Sequence, residues 1–241
     1  MATDAVVKKI AKDFKVNINS NATIRALQKK KLKGTATYLD ADKYAIATAK
    51  ALSKALADNL VDETLSTAEY RAIVAEALPD GLMATQSTVS KYAEAAQLRL
   101  NKNAKINLKV VVPKVDGEAI ASTTAKAVTA TAYSDVAGVV NQDNMNFAQN
   151  VATKMMKDNA GFQNNVGYTV TVERIYDDVG IHNRSEPCEW CIEKEGIWNY
   201  EDALTNGVFE RHPGCGCTII YHSEKGPQLQ TDWTTNKWEN I

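Results

Sequence analysis

CEWCIEKEGIWNYEDALTNGVFERHPGCGC, residues 188–217, holds all four cysteines of the chain and one of its three histidines. Cys188 and Cys191 form C-x-x-C, Cys215 and Cys217 form C-x-C, and His212 stands three residues before Cys215. Two chelating pairs of this kind each bring two thiolates to one point, and a fold that joins the pairs completes a tetrahedron. Zinc favours such a four-coordinate sulfur or mixed sulfur/nitrogen site, and a fully ligated zinc is structural. Five candidate ligands compete for four positions. Four cysteines are the first choice, and three cysteines with His212 the second.

Other uses of four cysteines fit less well. Two disulfides belong to oxidising compartments and small secreted chains. Here the residues after Met1 run into a charged helical pattern rather than a signal peptide, and 241 residues can bury a core without disulfides. A redox dithiol needs C-x-x-C between a strand and a helix in a thioredoxin-like pattern, whereas Pro187 precedes this one and a second pair follows it. Pro187 to Cys191 also matches the P-C-x-x-C half of the zinc deaminase signature, whose other half is H-x-E. His182 is followed by Asn183-Arg184, so the proton-shuttling glutamate is missing. A second cysteine pair would close the position that a catalytic zinc keeps for water. An enzyme on this metal, deaminase or nuclease, is therefore the third-ranked expectation, and no catalytic residue is assigned.

The order of elements carries a resemblance. PCEWC, then Gly196 with Trp198 and Tyr200, then VFERHPGCGCTIIY, resembles the C-terminal segment of tailed-bacteriophage minor head proteins of the Mu F-like class. In those proteins a C-x-x-C, a glycine-aromatic stretch and a closing H-x-x-C-x-C before a hydrophobic strand recur. The matching residues are Cys188, Cys191, His212, Cys215 and Cys217, within a segment of about residues 173–222. The resemblance implies a structural virion protein of few copies, made in the host cytoplasm and associated with the portal or capsid interior. It implies a role in head assembly or DNA delivery within a multi-subunit assembly, contact with capsid or portal proteins and with packaged DNA, and no catalytic residues to carry over.

Charge is balanced overall, at −1, but not along the chain. Residues 1–60 carry twelve Lys/Arg against five Asp, and residues 171–241 carry six Lys/Arg against thirteen Asp/Glu. A basic end suits DNA or an acidic partner, which makes a zinc-stabilised nucleic-acid-binding protein the alternative function. Lysines such as Lys29, Lys30, Lys31 and Lys33 equally suit a solvated helix face, and arginine and aromatic interleaving is sparse. No apolar run approaches a membrane span, so no membrane partner is expected. No nucleotide loop, dinucleotide fingerprint or serine-hydrolase elbow is found in the sequence.

The periodicity upstream predicts a mainly α body over residues 1–161, a small zinc-stabilised α+β module over 162–226 and a tail over 227–241. Thr3-Asp4 opens a first helix to about Phe14, with Val16 to Ile18 as an extended link. Asn19-Ser20-Asn21 caps a second helix, Ala22 to Leu32, stopped by Gly34, and Tyr38 to Leu60 is a long Ala-rich helix. Ser66 and Glu69 form a capping box for a helix to Leu78, and Pro79-Asp80-Gly81 reads as a turn before a helix from Thr85 to Leu100. Ile106 to Val112 is dense in β-branched residues and reads as a strand. A helix is expected over 118–131 and another from Ser134 to Gly161. Tyr168–Tyr176 alternates as a strand, a short helix falls near Tyr200–Leu204, and Thr218–Tyr221 is a second strand. Antiparallel pairing of the two strands would set C-x-C beside C-x-x-C. Asp177-Asp178 reads as a strand end, His182 and His222 as outer partners or surface groups, and Trp233 and Trp238 as anchors of a docking arm.

Overall fold

A computed structural model describes residues 2–60, 65–129, 133–176, 188–212 and 215–223. The expected tail with Trp233 and Trp238, the pair Asp177-Asp178, and His182 lie outside the described residues. The architecture is the expected one, a mainly helical body with a small C-terminal α+β region that holds the Cys/His cluster. Its elements are α1 (Ala2–Ser20), α2 (Ala22–Leu32), α3 (Tyr38–Leu60), α4 (Thr67–Asn103), α5 (Gly117–Thr129), α6 (Tyr133–Asn165), β1 (Val170–Ile175), α7 (Glu189–Ile192), β2 (Gly196–Asn199), α8 (Tyr200–Thr205) and β3 (Thr218–Ser223). Among the described residues, no helix is long and apolar enough to cross a membrane.

Two compact units are distinguished by their contacts. One comprises Met1–Lys29, Lys43–Val89 and Lys114–Val151; the other comprises Lys30–Asp42, Ser90–Pro113 and Ala152–Ile241. The unit with the sheet thus draws on two earlier stretches of the chain as well as its C-terminal third.

Local chemistry sets the helix ends, some of them foreseen in the sequence and others not. Asn21 Oδ1 accepts from Ile24 N at 3.0 Å to start α2, and Gly34 takes the left-handed conformation, φ +69°, just past its end. Thr37 Oγ1 accepts from Asp40 N while Asp40 Oδ2 accepts from Thr37 N, a reciprocal cap on α3. Ser66 and Glu69 cap α4 in the same manner. Asp116 Oδ1 accepts from Ala119 N to open α5.

Four expectations are corrected. Val16 to Ile18 is not an extended link, because α1 continues to Ser20. Asn17 Nδ2 donates to the Ala51 carbonyl at 3.2 Å, so this last turn is held by α3 rather than released into a loop. Pro79-Asp80-Gly81 is not a turn, because α4 runs through it. A proline withdraws one N–H from the helix ladder, but Leu78 and Leu82 on either side are completely buried and their packing carries the helix across. Gly81 is there for proximity, since a Cβ at that position would lie 2.5 Å from Leu52 Cδ1 of α3.

Ile106 to Val112 forms no strand. Part of its backbone bonds to side-chain amides instead of to a neighbouring strand. Asn159 Oδ1 accepts from Val111 N at 2.9 Å, Asn159 Nδ2 donates to Val111 O at 2.8 Å, and Asn101 Nδ2 donates to Leu108 O at 3.1 Å. Likewise Gly161 does not stop α6, which reaches Asn165; a side chain there would collide with the Tyr200 hydroxyl of α8.

The sheet is three-stranded and antiparallel with the order β2-β1-β3. β1 pairs with β3 from Val170↔Ser223 to Ile175↔Thr218, as the two sequence-predicted strands required. β2 was not foreseen; it pairs Thr171↔Asn199 through Arg174↔Gly196. Within the same unit a buried polar chain ties β3 to helices. Gln97 Nε2 donates to Tyr221 Oη at 2.6 Å and to Asn101 Oδ1 at 2.7 Å, Gln97 Oε1 accepts from Tyr38 Oη at 2.7 Å, and Gln163 Nε2 reaches Tyr221 Oη at 3.2 Å. Every named amide has a partner, which a buried polar group requires.

Asn159 is 2% exposed and supplies both hydrogen bonds to Val111. Replacing it by Ala leaves those backbone groups without their partner, a loss of about 2 kcal/mol. Chemical denaturation of Asn159→Ala should read that loss, and an unchanged midpoint would contradict the role given to the amide.

Candidate metal centre

The cluster is built by three short pieces of chain in one unit. Cys188 is the N-cap of α7, its carbonyl accepting from Cys191 N at 2.9 Å and Ile192 N at 3.0 Å. One helical turn therefore sets Cys188 and Cys191 on the same side. Cys188 N donates to Tyr176 Oη at 3.3 Å, which pins the turn to the residue following β1. On the opposite side, Cys215 N donates to the His212 carbonyl at 3.0 Å, so that His212 and Cys215 share a turn. Cys217 directly precedes β3, and the β1–β3 register brings it to the end of β1.

These pieces converge. His212 Nε2 lies 3.2 Å from Cys188 Sγ and 2.9 Å from Cys191 Sγ. Cys191 Sγ and Cys215 Sγ stand 3.8 Å apart, close to the roughly 3.8 Å that two sulfurs bound at about 2.3 Å to tetrahedral zinc would show. Two ligand groups emerge, Cys188, Cys191 and His212, and Cys191, Cys215 and Cys217; within each, the donor atoms lie within 4.8 Å of one another. Cys191 belongs to both. All five sequence-predicted ligands are thus gathered, and all four thiols are free. Cys191, Cys215 and Cys217 are buried, and Trp190 and Tyr176 pack against them. Soft sulfur donors with one imidazole, held close without a disulfide and mostly buried, fit a zinc-like ion.

Two arginines that sequence reasoning did not single out organise the cluster. Arg174 stands on β1 in phase with Val170 and Val172, and its side chain is wholly buried. Its Nη1 donates to the Val208 carbonyl at 2.6 Å and the Glu210 carbonyl at 2.7 Å, fixing the chain that leads to His212. Its Nη2 points at Cys215 Sγ, 3.3 Å away, and Cys191 Sγ, 3.6 Å away. Arg211 Nε donates to Thr153 Oγ1 at 3.0 Å, and Nη2 lies 3.5 Å from Asp42, so the residue beside His212 is anchored in α3 and α6. Trp190 meets His212 edge-on at 5.5 Å between ring centroids, and the Arg174 guanidinium carbon lies 4.9 Å from its ring centre.

The electrostatics mark one sulfur as the favoured thiolate. A hydrogen bond from Cys217 lowers the Cys215 thiol to about 4, against the effect of burial and with help from Arg211 and Arg174. Burial raises Cys191 to about 11. The bond to Cys215 raises Cys217, with burial adding to it. Burial works against the Arg174 cation, but the Cys215 and Cys217 sulfurs outweigh it and its pKa is raised.

The other expected groups lie elsewhere. His222 sits across the β1–β3 pair with Nε2 3.4 Å from Glu173 Oε2, and it joins neither ligand group. In the basic stretch, Lys30 reaches Asp40 at 2.8 Å. Comparison with protein-family models, curated proteins and solved structures finds no match to this chain.

Cys191 is the donor common to both groups, so Cys191→Ser should weaken zinc binding by more than about 100-fold, beyond what loss of an outer partner costs. Native mass spectrometry should show one zinc per unsubstituted chain and none on the variant. Equal loading of the two would contradict the shared role.

Proposed function

We propose that this chain is a structural protein of a tailed-bacteriophage head, a minor capsid component whose C-terminal α+β region is clamped by zinc. The observation that carries the reading is the gathering of Cys188, Cys191, His212, Cys215 and Cys217 at one place, with Cys191, Cys215 and Cys217 buried and Cys188 and His212 half-buried. Those are the five residues of the motif that resembles the Mu F-like minor head proteins, and their proximity supports the reading. Zinc does no chemistry in this account. It fixes the positions of α7, the turn at His212 and the start of β3, and five donors for four positions leave none reserved for water.

Several features support assembly rather than turnover. Three of the four sulfur donors, Cys191, Cys215 and Cys217, are buried, with Trp190, Tyr176 and Arg174 against them, which suits a permanent clamp. A small sheet gains a fixed geometry from metal that its own apolar area cannot supply, and a fixed surface is what a portal or capsid partner needs. Packaged DNA is the further partner in this reading, met through the basic N-terminal stretch.

Sedimentation of purified phage particles, followed by quantitative mass spectrometry of the head fraction, tests this directly. A low copy number per particle is the expected result. Absence from the head fraction would overturn the virion reading, and salt-dependent DNA affinity of the free protein would then favour a zinc-stabilised nucleic-acid-binding protein.

A further inference from the structure

Arg174 is an anomaly that the clamp alone does not explain. It occupies an apolar phase of β1, opposite Ile219 on one neighbour and Gly196 on the other, and it is wholly buried. A buried guanidinium is costly unless a counter-charge is at hand. Among the described residues no carboxylate forms an ion pair with it. Its Nη1 is committed to the carbonyls of Val208 and Glu210, which are neutral. What remains is the sulfur side, where Nη2 lies 3.3 Å from Cys215 Sγ and 3.6 Å from Cys191 Sγ.

A divalent ion bound by three or four thiolates keeps a net negative charge. Buried, that complex needs a cation as much as Arg174 needs an anion. We propose that Arg174 is a positioning residue of the metal centre, supplying the buried counter-charge and the N–H donors that orient Cys191 and Cys215. This inference rests on the metal reading given above. Arginine suits the task better than lysine because one planar fork serves two carbonyls through Nη1 and two sulfurs through Nη2, whereas an ammonium is a single point charge. Trp190 completes the arrangement, with Arg174 near one part of its ring and His212 against its edge.

Cobalt(II) titration of the full chain provides the test, because the thiolate-to-cobalt charge-transfer band reports on the sulfurs themselves. In Arg174→Met, cobalt affinity should fall on the order of 10–100-fold, as for loss of other outer partners, and the band should move to longer wavelength as the N–H donors are lost. Arg174→Lys, which keeps the charge, should regain part of the affinity while its band remains shifted. Should the Met variant not fold, the Lys variant decides alone: a band at the unsubstituted position overturns the proposal. So does an affinity loss in both variants with an unmoved band, which would leave Arg174 only the structural task of holding Val208 and Glu210. Absence of any such band in the unsubstituted protein would overturn the metal reading itself, and this inference with it.

Discussion

A sheet of three short strands cannot bury enough apolar surface to hold itself together, so everything in this region depends on what fixes its ends. At one end the fastening is the meeting of sulfur and imidazole donors around Cys191. C-x-x-C on α7 and the His212–Cys217 segment come from pieces of chain with no extended pairing between them, and the cluster is where they join. A metal ion there would replace apolar area with coordination, the usual solution in small modules. The need for a counter-charge follows from the same constraint. Concentrating thiolates in a buried place would be unfavourable alone, and Arg174, which stands on β1 where an aliphatic residue would ordinarily stand, is the cation proposed to offset that cost.

The middle of the sheet is fastened differently. Tyr221, completely buried on β3, accepts from Gln97 and from Gln163, and Gln97 continues the chain to Asn101 and Tyr38. These partners belong to α3, α4 and α6, so the strands do not form an independent appendage but share a unit with helical segments far earlier in the chain. Such a network is directional in a way that apolar packing is not, because a shifted register would strand several amides without partners. Amide hydrogen bonds therefore hold one register, Val172 opposite Tyr221, and coordination of a metal ion at the cluster would hold the same one.

Much of this was legible in the residues. Helix caps at Asn21 and Ser66 use short-range chemistry that a sequence displays openly, as do the alternation of β1 and the spacing of the ligands. The misreadings share one physical cause, which is that tertiary contacts outrank local preference. Pro79 and Gly81 read as a turn, yet Leu78, Leu82 and the approach to Leu52 keep the helix intact. Ile106 to Val112 has strand composition, but Asn159 rather than a strand answers its backbone. β2, four residues long, was too brief to announce itself. Arg174 did leave a trace: a lone cation in phase with Val170 and Val172 is either exposed or paired, and only the fold reveals that its partners are cysteines.

Metal bound at the Cys/His cluster would hold the sheet in place. Hydrogen exchange on the full chain, with one equivalent of zinc and after chelation, tests it most directly. Amides of β1 and β3 should lose protection on chelation while those of α1 and α5 keep theirs. Equal protection of both strands with and without metal would contradict the account.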